Sequence, residues 1–65
     1  NPEGTKMNIL TTGATIKKVD DLTYEIYYKD QLIETFDNKA SALMFSLSKK
    51  RLEEQLQLQL KLKSA

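Results

Sequence analysis

Residues 22–29 read LTYEIYYK, and in them Leu22, Tyr24, Ile26 and Tyr28 alternate with Thr23, Glu25, Tyr27 and Lys29. Four apolar positions at period two predict a half-buried β-strand. Upstream, Ala14 to Val19 carries Thr, Ile and Val, which suit a pleated surface, and Asp20-Asp21 supplies a tight turn. Downstream, Lys29-Asp30-Gln31 turns the chain into a third strand from Leu32 to Phe36. The pattern predicts a meander of three short antiparallel strands over about residues 14–36.

At Asp37-Asn38 the period changes. Either side chain can cap a helix by accepting a backbone N–H bond. Ala40, Leu43, Met44 and Leu47 then follow at i, i+3, i+4 and i+7, a stripe expected to pack on the sheet through Tyr24, Ile26 and Phe36. From Leu56 to Leu62, leucines alternate with Gln57, Gln59 and Lys61, so residues 55–63 admit a strand as well as a helix. Leu, Gln, Lys and Glu favour helix, and no Gly, Pro, Asn or Asp lies between Asn38 and Ser64 to stop one. The sequence therefore predicts an α+β fold, β-β-β-α, with one long C-terminal helix over about 38–62. The alternative is β-β-β-α-β.

On a continuous helix, Leu43, Met44, Leu47, Leu58 and Leu62 share one side, and Phe45, Leu52, Leu56 and Leu60 fall nearly opposite. A small sheet covers only one side. The first set is expected inward, and Phe45, Leu52, Leu56 and Leu60 are expected to form an apolar anchor for another protein or a second copy. The plainer alternative is a flexible tail with incidental leucines.

Sixty-five residues make one domain at most, and a chain this short buries only about 60% of its unfolded surface. With no Cys and no His there is no disulfide and no ordinary zinc site, which leaves a partner as the natural source of extra buried area. Absence of Cys fits the cytoplasm or another reducing compartment. The chain begins at Asn1, so residues 1–6, with the only Pro, read as a disordered arm or as added residues, and 7–65 as the domain. No apolar run approaches the roughly 20 residues of a membrane span.

The chemistry of catalysis is poorly supplied. Without His or Cys, proton transfer falls to carboxylates or Lys, and Asp20-Asp21 and Glu53-Glu54 read as a turn and a solvated helix face. Gly4 and Gly13 are isolated and build no phosphate loop, and no calcium-loop spacing is present. The expectation is a non-enzyme with no cofactor, no metal and no small-molecule substrate.

Net charge is +1, unevenly spread: residues 1–37 hold four Lys against seven acids, and residues 38–65 hold six Lys or Arg against two Glu. Lys49, Lys50, Arg51, Lys61 and Lys63 are candidates for contacts with phosphate or with an acidic partner. Tyr27, pointing away from Tyr24 and Tyr28, is a candidate outward contact. In element order alone, residues 14–52 resemble the arm-type DNA-binding domains of tyrosine recombinases and the AP2 domain. Those sheets present basic and aromatic side chains outward, whereas Glu25 and Glu34 make this one more acidic, so no functional residue is carried over. The expected function is a small subunit or adaptor that docks through its Leu-rich helix. The alternative is a small nucleic-acid-binding protein, dimeric through the same leucines, with the basic cluster on phosphates.

Overall fold

The computed structural model describes residues 5–64, and in it a four-stranded antiparallel sheet precedes two helices. The strands are β1 (Thr5–Ile9), β2 (Ala14–Asp20), β3 (Thr23–Tyr28) and β4 (Gln31–Phe36), lying in the sheet in chain order. Thus the α+β class and the meander hold, with one strand more than expected. Thr5 and Lys6, assigned to an arm, belong to β1; the rest of that assignment, residues 1–4, lies outside the described residues. In β1 the alternation is short but regular: Met7 and Ile9 pack inward while Lys6 and Asn8 are exposed.

Each connection has a local cause. Between β1 and β2, the N–H groups of Thr12 and Gly13 both donate to the Ile9 carbonyl, at 3.2 and 2.7 Å, with Gly13 at φ 86°. Asp20 Oδ1 accepts the Leu22 N–H at 2.9 Å, which puts Leu22 in the turn rather than in the strand. Lys29 and Asp30 sit at φ 51° and 63°, the paired left-handed conformation that two-residue hairpins use to match strand twist. Ile26 pairs with Glu34 and Tyr27 with Leu32, so Ile33 is the extra residue of a β-bulge. The bulge brings both Ile33 and Phe36 to the core, which strict alternation cannot do.

The expected single helix is two: α1 (Lys39–Ser46) and α2 (Lys49–Ser64). Asn38 caps α1, its Oδ1 accepting the Ser41 N–H at 2.8 Å. Leu47 closes α1, and Ser48 opens α2 with its Oγ accepting the Arg51 N–H at 3.3 Å. Ser is a preferred N-cap because its hydroxyl satisfies a helix-end donor, so Ser48 starts a second helix inside a run that holds no Gly, Pro, Asn or Asp. Residues 55–63 are helix throughout, which removes the strand alternative.

Among the described residues the helices lie on one sheet face only. The core is Ile9, Ala14, Ile16, Ile26, Tyr28, Ile33, Ala42, Leu52 and Leu56, with Met7, Tyr24, Phe36, Leu43 and Phe45 packed around it. Thr12 ties the β1–β2 loop to the helix junction, its hydroxyl donating to the Ser46 carbonyl at 2.8 Å.

Candidate interaction surface

α2 has 16 residues, about 24 Å at 1.5 Å per residue. Its inward line begins with Leu52 and Leu56, at 0% and 5% exposure, and each buried leucine contributes roughly 1.5–3 kcal/mol of gross burial. One turn further on, the line becomes polar: Gln59 is half-buried, and Lys63 Nζ donates to Gln31 Oε1 at 2.5 Å.

One flank of α2 is anchored to the β3–β4 hairpin. The Tyr28 hydroxyl donates to Glu53 Oε2 at 2.5 Å, and Lys29 Nζ reaches the same oxygen at 3.2 Å. The bonds from Tyr28 and Lys29 hold the Glu53 carboxyl below its ordinary range, and the same carboxylate pushes the Tyr28 hydroxyl up.

The opposite flank runs through Arg51, Gln55, Leu58 and Leu62, at i, i+4, i+7 and i+11. Leu58 and Leu62 are 47% and 64% exposed. Arg51 continues this flank into a groove of about 420 Å³, lined also by Phe36, Ala40, Ser41, Met44 and Phe45. Phe45 packs tilted against Phe36, ring centres 5.4 Å apart and planes at 53°, and Met44 stands 70% exposed at the rim. The result is two exposed apolar patches, Met44 with Phe45 on α1 and Leu58 with Leu62 on α2, joined by Arg51 and Gln55.

The expected anchor is therefore split. Leu52 and Leu56 are core, Phe45 is half-buried against Phe36, and Leu60 alone of the four is exposed. The set expected inward is largely outward: Met44, Leu47, Leu58 and Leu62 are exposed, as is Ala40, and Leu43 is half-buried. The inversion is present within α1 itself, where Ala42 and Ser46 are buried while Met44 and Leu47 are exposed. At about 100° per residue Ala42, Ser46, Leu52 and Leu56 share a side, so the two groups hold and the inward side is the other one. α1 buries the small Ala42 and Ser46, and α2 buries Leu52 and Leu56 in phase with them.

Lys49, Lys50 and Arg51 form the exposed first turn of α2, and Lys61 and Lys63 lie in its last turn. The last-turn pair suits the helix dipole. The first-turn cluster opposes it, because that end already carries partial positive charge. Across the helix, five cations face only Glu53 and Glu54, and Glu53 is held by Lys29.

Among the described residues no group of three His, Cys, Asp or Glu could hold a metal ion, and no helix is long and apolar enough to cross a membrane. No protein-family model matches the chain, and no match is found among curated proteins or solved structures.

Proposed function

We propose that this protein is a non-catalytic association module that docks a larger protein against the outer flank of α2 and the adjoining α1 groove. The observation that carries the reading is the coincidence of exposed Met44, Leu58 and Leu62 with Arg51 between the two patches and a cation-rich helix around them. Exposed apolar surface bordered by charge is the anatomy of a docking site, with apolar burial supplying affinity and charge supplying approach rate and partner choice.

The same charges select the kind of partner. Two copies of α2 laid together set cations at both ends against cations, in parallel or antiparallel. A second copy is thus a poor occupant, and an apolar ridge edged by Asp and Glu is a good one. The functional anchor moves from Phe45, Leu52, Leu56 and Leu60 to Met44, Leu58 and Leu62, with Phe45 as the groove wall.

The test uses two synthetic helical peptides with the same leucine stripe, one edged with glutamates and one with lysines. Fluorescence anisotropy should detect binding of the acidic peptide, weakened by salt and by Leu58→Ser with Leu62→Ser. Equal binding of both peptides, or of neither, overturns the reading.

A further inference from the structure

Among the described residues the helices lie on one sheet face only, and on the other face the register sets Lys6 on β1 directly opposite Lys17 on β2. Like charges at that position destabilise a sheet, and among the described residues neither lysine is in an ion pair. Lys17 in turn lies opposite Glu25 on β3, but the Glu25 carboxylate is engaged by the Tyr27 hydroxyl, which donates to it at 2.8 Å. Tyr27 stands two residues along β3, a diagonal neighbour of Lys17 at roughly 7–8 Å. Lys6, Lys17, Thr15, Tyr27 and Asp30 line a shallow hollow of about 350 Å³ on this face.

We propose that this face binds single-stranded nucleic acid, with phosphate between Lys6 and Lys17 and an unpaired base stacked on Tyr27. The proposal is independent of docking at α2, since it uses the other side of the molecule. Two lysines paired across neighbouring strands attract an anion to that spot, and a phosphodiester supplies one. The phenol ring is a platform that a base can use only when it is out of a duplex, which selects a single strand over a double one. Glu25 and Asp30 repel a bare polyanion or an acidic peptide. They accept hydrogen bonds, however, from the exocyclic amino groups of cytosine and adenine. Cations, an aromatic face and carboxylate acceptors together match a nucleotide better than any of the three matches another anion.

The experiment is fluorescence anisotropy of the 65-residue chain with labelled oligodeoxycytidine and oligothymidine of equal length, and with heparin as competitor. Oligodeoxycytidine is expected to bind more tightly than oligothymidine, and to resist heparin better at equal charge. Tyr27→Ala should weaken it roughly tenfold or more, and Tyr27→Phe should preserve it. Lys17→Gln should weaken binding and reduce its salt dependence, which keeps the proposal testable if Tyr27→Ala does not fold. Absence of oligonucleotide binding overturns the proposal. So does loss of binding in Lys50→Glu with Lys17→Gln unaffected, which moves the contact to α2. Measuring the acidic peptide on the same variants separates the two sites, because Lys17→Gln should leave peptide binding intact.

Discussion

The Tyr28 hydroxyl and the Glu53 carboxylate meet at 2.5 Å across 25 residues of sequence, joining the β3–β4 hairpin to the second turn of α2. Glu53 is held below its ordinary value of 4.5 by this bond and by Lys29. Its contribution to stability is present above pH 4.5 and is lost as pH falls through the lower folded value. Tyr28 is pushed above 10.0, so its contribution is present below pH 10.0 and is lost as pH rises through the higher folded value. Urea midpoints measured from acid to alkaline pH should fall at both ends. Glu53→Gln should flatten both limbs, and a variant with unchanged limbs would show that the contact contributes nothing.

At the helix junction, Ser46 is fully buried and its Oγ has no hydrogen-bond partner, while its carbonyl accepts from Thr12. An unpaired buried hydroxyl is unfavourable, so Ser46→Ala should be neutral or stabilising by about 1 kcal/mol. Thr12→Val keeps the shape but leaves the carbonyl without its donor, and should cost about 1–3 kcal/mol. Chemical denaturation of the two variants checks the contrast in sign.

Much of the sheet was legible because its residues obey one rule at a time. Tyr24, Ile26 and Tyr28 keep period two, and Asn38 caps a helix as its amide dictates. The losses came where period alone does not decide which side is buried. The bulge at Ile33 adds that residue to the core beside Phe36. The inward side of the helices is the one that carries the small Ala42 and Ser46 with Leu52 and Leu56, while the larger Met44, Leu47, Leu58 and Leu62 lie outside. Ser48 was readable as a cap in retrospect, since a Ser inside a helical run can be either a guest or a start. β1 is weakly signalled because its apolar alternation is only Met7, Asn8, Ile9, too short to stand out beside Pro2 and Gly4. The candidate site suffered most, because a surface is what remains after the core is correctly subtracted.

The β3–β4 turn holds a non-glycine residue, Asp30, at φ 63°. Left-handed backbone disfavours a side chain there, and Gly relieves it while gaining freedom in the unfolded chain. Asp30→Gly should therefore stabilise by about 0.5 kcal/mol. Gly13 at φ 86° has open space around its Cα, yet Gly13→Ala should destabilise by about 1 kcal/mol from backbone conformation alone. Thermal melts of both variants, moving in opposite directions, check the argument.

The first turn of α2 trades stability for surface chemistry. Lys50→Glu puts a negative charge where the dipole favours one, and should stabilise by about 0.3–1 kcal/mol. The same change should weaken the acidic peptide. A variant both more stable and undiminished in binding would remove the cations from the docking account.

The central claim is that the leucines of α2 divide into a core pair and a docking pair. One side-by-side measurement tests it: urea stability and acidic-peptide affinity for Leu52→Ala and for Leu58→Ser with Leu62→Ser. The account predicts a loss of about 2–5 kcal/mol for Leu52→Ala, against roughly 0.5 kcal/mol or less at each exposed position. It also predicts at least a tenfold loss of peptide binding for the exposed pair, the equivalent of about 1.4 kcal/mol. An exposed-pair variant that unfolds, or that binds the peptide unchanged, would contradict it.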